Sequence, residues 1–440
     1  PNATGTPEPM LRDRPTPAAG GAATGARPTG EPDLLRGTFA TSYRFRHGAG
    51  ASDHNLTARL NLDIGREERE PFSFHFAGPG FANLDGRRDD DPFRGLEQSF
   101  RDDIHGRIYR AYFAARAPLP YVARLRLGRQ DLDAAPVPVT FDGLCADSDE
   151  FGAAKVSVSA WGGIPVHHFE PSSRGDSAYG VGAGMRPWQG GRLRFDWQSL
   201  RDDFLAIERH DEVLGLRAWQ SFDALQLTAL HTWLNGRPRE VQVGAHGELP
   251  FELFVDVDYR ELLRTQRSQV NELDPFYVIA AEYRPYRQLQ LSLSRDFGKH
   301  LTLSSGGQVR RLSEASDEGT FNRDFERCWA DASFPGLFGV DRLTGFVNGS
   351  LWHTSGEATR AVAGGLQYRT DDGLRLELGS GYDLFRYDVL ADRERVHVRT
   401  FYLRADYALA GRVRLDATYE LERNDDDEFH LLRLGMTWTL

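Results

Sequence analysis

The sequence contains no run of about 18 apolar residues, the length that a transmembrane helix needs. Its 440 residues include two cysteines and 40% hydrophobic residues, enough to form the cores of two or three soluble domains. The mean hydropathy of −0.50 is also compatible with a large sheet in which only alternate residues face lipid. If the chain meets a membrane, it therefore does so through strands.

Lysine is almost absent, since only Lys155 and Lys299 occur, and the formal net charge is −11. An acidic chain is not expected to bind nucleic acid. The preference for arginine has two explanations, the base composition of the genome or forked hydrogen bonding to carboxylates and sugars, and the first is the simpler one. Cys145 and Cys328 fall on predicted strands far apart in order, which argues against a disulfide. No Cys-x-x-Cys-His motif is present, so no cofactor is predicted.

Residues 1–35 contain seven prolines and five glycines and scarcely any bulky apolar residue. This composition predicts a flexible periplasmic segment that cannot bury a core, and it leaves open whether the segment enters a pore or binds a partner. The chain begins with Pro-Asn-Ala-Thr, and we expect that a secretory signal has been removed before it. The second predicted region comprises residues 36–440.

From Phe39 onward the hydrophobic pattern has a period of two. In the stretch 56–64 one face carries Leu56, Ala58, Leu60, Leu62 and Ile64, and the other carries Thr57, Arg59, Asn61 and Asp63. The same alternation recurs at 121–127, 192–197, 251–259, 374–378, 413–421 and 432–440. A helix cannot use this pattern, whereas a half-apolar strand requires it.

The connections between these strands are of two kinds. Tight turns are predicted at Ala117–Pro120, Pro187–Gly190, Gly247–Pro250, Pro285–Gln288, Thr370–Gly373 and Ala408–Gly411. Longer polar links are predicted at Gly80–Asp103, Leu200–Asp211, Leu262–Asp274, Leu312–Thr320 and Arg386–Arg395, with shorter ones at Phe169–Ser177 and Arg423–Glu428. Short periplasmic turns and longer extracellular loops are typical of a transmembrane antiparallel β-barrel in the bacterial outer membrane, and closure would leave no open sheet edge.

Counting from Arg36 gives about 22 strands, within a range of 18–22, if 288–310 is one long strand across Phe297-Gly-Lys-His300. The even number places both chain ends in the periplasm and every tight turn on that side. A hairpin within 288–310 would instead move the upstream tight turns to the other side. A periplasmic aromatic girdle is predicted from Trp188, Tyr283, Tyr286, Tyr407 and Trp438.

Three motifs carry a resemblance to a known family. Leu125-Arg-Leu-Gly-Arg-Gln130, Thr140-Phe-Asp-Gly-Leu144 and Val156-Ser-Val-Ser-Ala-Trp-Gly-Gly-Ile-Pro-Val166 resemble the strand, inward loop and strand of large bacterial porins, including alginate-export-like channels. The last strand is similar to an outer-membrane assembly signal, although it ends in Leu440 where Phe or Trp is usual. The resemblance implies a porin architecture with an inward loop at Asp131–Phe141.

The polar phase of the strands supplies the candidate pore lining. Its members are Arg59, Asp63, Arg124, Arg126, Arg192, Arg194, Asp196, Arg217, Glu252, Asp256, Asp258, Arg375, Glu377, Arg404, Asp406, Arg414, Asp416, Glu420 and Arg433. Most are expected to form Arg–carboxylate ladders that stiffen the wall, while rows of opposite sign could also set a transverse field for a charged solute. Arg124, Arg126, Arg192 and Arg194 are predicted to form a basic stripe near the inward loop.

Other motifs favour ordinary structural roles. Gly180, Gly182 and Gly184 alternate on one strand face without the helix of a nucleotide loop, so they are predicted to make room for a folded-in loop or a bulky neighbour. The acidic links at 88–91 and 424–428 are interpreted as solvated loop charge and not as cation sites near lipopolysaccharide. His167 and His168 face opposite sides of a strand and cannot chelate one metal. No metal site and no catalytic residue is predicted, because no serine has a nucleophile-elbow context.

Two functions remain open at this point, and an enzyme is a distant third. The first is an outer-membrane channel for solutes or for an exported polysaccharide. The second is a sheath that encloses a partner protein, such as a multihaem cytochrome of an electron conduit. The expected partners are outer-membrane lipid and lipopolysaccharide, with a possible periplasmic or barrel-enclosed protein.

Overall fold

The computed structural model describes residues 34–48, 50–86, 103–132, 135–166, 175–204, 207–264, 284–318, 323–354, 357–388, 393–409, 411–425 and 427–440. The segment predicted to be flexible therefore lies outside the described residues up to position 33. Within these ranges two three-residue 3-10 helices, Ala315–Asp317 and Leu337–Gly339, accompany the strands. None of the described helices has the length and hydropathy to cross a bilayer.

The described strands are long and regular. Their bounds are β1 Leu35–Gly48, β2 Ala51–Ile64, β3 Phe72–Asn83, β4 Ile104–Gly106, β5 Arg110–Leu119, β6 Val122–Leu132, β7 Val139–Ser148, β8 Ser157–Pro165, β9 Ser177–Met185, β10 Gly191–Phe204, β11 Ile207–Phe222, β12 Leu225–Leu234, β13 Arg237–Leu249, β14 Leu253–Leu262, β15 Tyr286–Phe297, β16 Leu301–Leu312, β17 Phe325–Pro335, β18 Leu343–Thr354, β19 Glu357–Arg369, β20 Leu374–Asp388, β21 Arg393–Leu409, β22 Val413–Arg423 and β23 Glu428–Thr439.

The sheet is antiparallel and closed. Strands that follow one another along the chain pair with each other, and β1 also pairs with β23, with Thr38 opposite Thr439. Because β4 and β5 both pair with β3, they form one interrupted strand, and the described residues build a barrel of 22 strands. The first strand starts and the last strand ends at the same end of the barrel, where Leu440 N–H donates to Gly37 C=O; this end is here called the terminal end, and the opposite end is called the loop end.

Strand number sets the width. Strands about 4.8 Å apart and tilted by about 40° give a 22-strand barrel a backbone diameter of about 44 Å. Inward side chains reduce the free width to about 30 Å before any loop enters.

The predicted long strand at 288–310 is wrong. The chain reverses between β15 and β16, where Phe297 pairs with Leu301 and Gly298 supplies a positive φ of 62°. The tight turn predicted at Pro285–Gln288 is also wrong, because Tyr286 already begins β15, which pairs directly with β14. The prediction thus missed one chain reversal, between β15 and β16, and added one that does not exist, at Pro285–Gln288. The two errors compensate, and the predicted number of 22 strands is confirmed.

Five of the predicted tight turns lie at the terminal end, as expected, but two of the predicted long links are largely strand. Strands β10 and β11 continue to Phe204 and Ile207, and β20 and β21 continue to Asp388 and Arg393. The loop end also holds a tight reversal at Asn235 and Gly236, whose φ angles of 52° and 74° are those of a type I′ hairpin turn.

The aromatic girdle is confirmed at the terminal end for Trp438, which is 46% exposed on the apolar face of β23, and for Tyr407 at the end of β21. Trp188 lies in the turn before β10, and its indole Nε1–H donates to Gln220 Oε1 at 2.6 Å. The prediction that Tyr286 belongs to this girdle is wrong. Tyr286 lies at the loop end and is only 6% exposed, because it starts β15 on the polar face. Tyr283 is outside the described residues.

Candidate functional site: the inner wall of the barrel

Register divides the side chains between two faces, since directly paired residues point the same way. One face carries exposed aliphatic side chains, such as Leu378 opposite Leu403, which are 57% and 51% exposed. The other carries charged pairs, such as Glu377 opposite Arg404. An apolar belt turned outward and a polar surface turned inward satisfy both environments of a membrane barrel.

The predicted lining residues follow this division. With one exception all of them lie on the polar, inner face by their pairing with neighbouring strands. The exception is Glu252, which precedes β14 in the terminal-end turn, where φ is 57° at Glu252 and 71° at Phe251. The period-two pattern continued through this turn in the sequence, so the pattern alone could not place the end of the strand.

Charge is unevenly distributed around the inner face. Among the described side chains of the half-wall formed by β23 and β1 to β11, arginines outnumber carboxylates. The basic members are Arg36, Arg44, Arg46, Arg59, Arg110, Arg116, Arg124, Arg126, Arg192, Arg194, Arg217 and Arg433, and the acidic strand members are Asp53, Asp63, Asp147, Asp196 and Asp211. We call this surface the basic half-wall.

On the half-wall formed by β12 to β22, carboxylates outnumber arginines among the side chains that the structure describes, and we call it the acidic half-wall. The acidic members are Glu240, Glu248, Asp256, Asp258, Asp296, Asp331, Glu377, Asp383, Asp406, Asp416, Glu420 and Glu422. The basic members are Arg237, Arg260, Arg310, Arg327, Arg369, Arg375, Arg404 and Arg414. The two half-walls face each other across the lumen, so the excess of arginines on one side lies opposite the excess of carboxylates on the other.

Many of these charges also pair within the wall. The pairs include Arg46–Asp53 at 2.7 Å, Arg194–Asp196 at 2.7 Å, Arg260–Glu240 at 2.5 Å, Arg404–Glu377 at 3.3 Å and Arg414–Asp406 at 2.5 Å. Asp53, Asp196 and Glu240 are buried beneath their arginines, so these pairs satisfy carboxylates that would otherwise lack a partner, whereas the exposed pairs contribute up to about 1 kcal/mol each. The predicted ladders are therefore present, and an excess of one charge sign remains in each half.

The predicted basic stripe is divided in two. Arg124 and Arg126 are on β6 and Arg192 and Arg194 are on β10, so three strands, or about 19 Å along the wall, separate the pairs. Arg124 donates to Asp147 Oδ2 at 2.6 Å and lies 3.0 Å from Glu67 Oε1.

Glu67 was not anticipated from the sequence. It lies in the seven-residue turn between β2 and β3, yet its side chain is only 12% exposed, because it contacts Arg124 and accepts a hydrogen bond from Tyr112 Oη at 3.2 Å. The turn is thereby fixed to the inner face.

The loop predicted at Asp131–Phe141 does fold onto the inner face, but it is shorter than predicted, because β6 continues to Leu132 and β7 begins at Val139; its described residues are 135–138. Val137, between β6 and β7, is 1% exposed, and its backbone N–H and C=O both bond the side-chain amide of Gln198 on the inner face of β10, at 3.3 and 3.4 Å. A side chain on Gly215 of β11 would meet Pro136 Cγ at 2.6 Å, so the loop lies directly on the wall. The buried cluster beneath it consists of Leu132, Ala135, Val137, Val139, Phe141, Cys145, Trp161, Ala178, Leu200 and Val213.

The glycines of β9 make room for a bulky neighbour, as predicted. A Cβ on Gly180 would lie 2.8 Å from Trp161 Nε1, so the indole rests on the bare backbone of the next strand. A Cβ on Gly182 would instead meet the Asp196 carboxylate at 2.5 Å. Gly306 beneath Trp329 and Gly379 beneath Tyr402 repeat the first arrangement elsewhere on the inner face.

A serine, a histidine and an aspartate meet on the inner face of β2 and β3. Ser73 Oγ lies 2.9 Å from His75 Nε2, and His75 Nδ1 lies 2.6 Å from Asp63 Oδ1, which is the atom order of a hydrolase triad. Ser73 is only 4% exposed, however, and Glu67 Oε2 lies 3.8 Å from the same Nε2. The hydroxyl is not open to a solute, so we assign the group a structural role.

Metal-ligating side chains form no group of three or more within the described residues. Cys145 is buried on the inner face and Cys328 is exposed on the outer face, so the two thiols point to opposite sides of the wall. His167, His168 and the acidic link at 88–91 lie outside the described residues. In the other acidic link, Glu428 pairs with Arg423 at 2.8 Å.

Comparisons with family models and with curated proteins give no match. Among solved structures, the P pilus usher PapC translocation pore is similar, at 10% identity and a TM-score of 0.54, over 92% of this chain and 99% of that chain. A BenF-like porin from Pseudomonas fluorescens Pf-5 gives 12% identity and 0.44 over 92% and 98%. Pseudomonas aeruginosa OccK2 gives 13% and 0.42 over 92% and 97%. These likenesses concern the fold.

Closure of 22 strands with an apolar belt outside decides the class of the molecule. The chain is a bacterial outer-membrane β-barrel. Both ends of such a barrel lie in the periplasm, so the terminal end is periplasmic and the loop end extracellular. The inner wall of this outer-membrane barrel is then the surface that a crossing solute meets.

Proposed function

We propose that the barrel is a wide conduit across the outer membrane and that charged solutes cross it in the field between its two half-walls. The segregation of inner-face charge supports this proposal. Since the free width is about 30 Å, the field acts mainly on solutes that run along one wall or span much of the lumen. The similarly folded PapC barrel is itself described as a translocation pore. An exported polysaccharide and small solutes remain alternative cargoes.

The test is the ion selectivity of the purified barrel in a planar bilayer. Among the described residues Arg59 and Arg433 make no ion pair on the basic half-wall, and R59Q/R433Q removes two positive charges there. D416N/E420Q removes two negative charges from the acidic half-wall. The reversal potential in a salt gradient is expected to shift toward cation preference in the first variant and toward anion preference in the second. Identical reversal potentials in both variants and the parent would contradict the proposal.

The width also supports a second proposal, a sheath around a partner protein. A lumen of about 30 Å accommodates a small folded domain. The two functions differ in what is purified from native membranes. A stoichiometric partner, coloured and haem-staining in the case of a cytochrome, favours the sheath, whereas high conductance of the barrel purified alone favours the conduit.

A further inference from the structure

Histidines that are scattered in the sequence gather on the outer face of the barrel. His430 on β23, His47 on β1 and His54 on β2 belong to adjacent strands across the closing seam, and all three point outward near the loop end. Their rings form a row with Phe45, which lies 4.7 Å from His54 and 6.4 Å from His47 between centroids. The rings of His47 and His430 are 6.2 Å apart.

The row lies at the extracellular edge of the apolar belt. Trp438 of the periplasmic girdle lies eight residue steps along β23 from His430, which corresponds to about 20 Å along the barrel axis for strands tilted by about 40°. The outward residues between them are Leu432, Leu434 and Met436. An apolar belt about 25 Å tall therefore ends near His430, where the headgroups of the outer leaflet begin.

Hydrogen bonding fixes which imidazole nitrogen faces the lipid. Tyr43 Oη lies 2.6 Å from His54 Nδ1, and Ser52 Oγ lies 2.9 Å from His47 Nδ1. When Nδ1 accepts the proton of this phenol or hydroxyl, the ring carries its own proton on Nε2. Within the described residues the Nε2 atoms of His47 and His54 make no hydrogen bond. They therefore present two N–H donors to the leaflet.

His430 completes the row in a different way. Tyr419 Oη lies 2.9 Å from its Nδ1, and its Nε2 lies 3.2 Å from Glu428 Oε1. Arg423 pairs with the same carboxylate at 2.8 Å and offsets its charge. His430 thus packs against the row, and the free donors are those of His47 and His54.

We propose that His47 and His54 bind a phosphate group of the glycolipid in the outer leaflet. As diagonal neighbours on paired strands, the two residues have backbones about 7–8 Å apart, which allows both Nε2–H groups to reach one phosphorylated headgroup. Phosphate oxygens are acceptors only, and a hydrogen bond to a charged acceptor is stronger than one to a neutral group. Phe45, which contacts both imidazoles, adds an apolar surface for the acyl chain next to that headgroup.

The experiment measures binding of lipid A and of its enzymatically dephosphorylated form to the full-length barrel in detergent, by native mass spectrometry. The parent barrel is expected to bind lipid A at least tenfold more tightly than the dephosphorylated form. H47F/H54F keeps two rings at the lipid boundary but removes both donors, and its affinity for lipid A is expected to fall about tenfold or more. H246F, which changes an inner-face histidine at the periplasmic end, is the matched control and is expected to bind like the parent.

The milder variant Y43F tests the proposal independently in case H47F/H54F does not fold. Y43F keeps the ring and removes the phenol that fixes the tautomer of His54, so a loss of about threefold is expected in a barrel with unchanged heat resistance. Equal affinity of H47F/H54F and the parent would overturn the proposal, and so would equal affinity for both lipid forms. A loss of the same size in H246F would also overturn it, because the effect would then not belong to this row.

Discussion

Replacing Gln198 with alanine should release the inward loop from the wall. The Gln198 side chain accepts from Val137 N–H at 3.3 Å and donates to Val137 C=O at 3.4 Å, and both residues are fully buried. Q198A leaves both backbone groups unpaired, at a cost of about 1–3 kcal/mol each. Since both bonds are near the long limit, we take the lower value for each, about 2 kcal/mol in all, which raises the open population of the loop about 30-fold.

Cys145 reports this opening. It belongs to the buried cluster beneath the loop and is only 1% exposed, so a water-soluble maleimide reaches it when the loop lifts. In a C328S background Cys145 is the sole thiol, because the chain has two cysteines. The labelling rate is expected to rise about 30-fold in Q198A.

The matched control is Q290A, which removes an inner-face glutamine on β15, away from the loop. Its labelling rate is expected to equal that of the C328S parent. An unchanged rate in Q198A would refute the claim that this amide holds the loop, and an equal rise in Q290A would show a general loosening of the barrel instead.

Three further outcomes follow from the wall itself. W161A should lower the free energy of unfolding in detergent by about 3 kcal/mol, measured with urea, because the indole covers the backbone at Gly180. G236A should lower it by about 1 kcal/mol, because φ is 74° in the Asn235–Gly236 turn, and an undiminished stability would contradict the turn assignment. A fluorophosphonate probe should leave Ser73 unlabelled in the native barrel, and labelling that S73A abolishes would show that the serine is a nucleophile after all.

The period of two predicted the fold because it records the environment of every strand residue. Lipid on one side and water on the other impose alternation, so the lining residues from Arg59 to Arg433 could be placed on one face without knowledge of the partners. Connections were harder to place. The pattern runs through the turns at Phe251 and at Phe297–Leu301, because hairpins can keep apolar residues near the membrane boundary on both sides of a reversal.

Long-range groupings could not be predicted, because they depend on which strands become neighbours. The ring row joins residues near both ends of the chain, since closure of β1 on β23 brings His47 to His430. The Ser73–His75–Asp63 contact needs the register between β2 and β3, and the segregation of charge needs the order of all strands around the lumen. The Asn235–Gly236 dipeptide is a hairpin signal that was available in the sequence and was missed.

In the barrel adjacent residues on one strand meet water and lipid in turn, and Arg433 and Leu434 on β23 are such a pair. Each is replaced by cysteine in a C145S/C328S barrel, labelled with an environment-sensitive fluorophore and reconstituted in vesicles. We expect iodide in the water to quench the label at 433 and nitroxide lipids to quench the label at 434. Lipid quenching at 433 together with iodide quenching at 434, or equal quenching of both labels by iodide, would contradict the barrel described here.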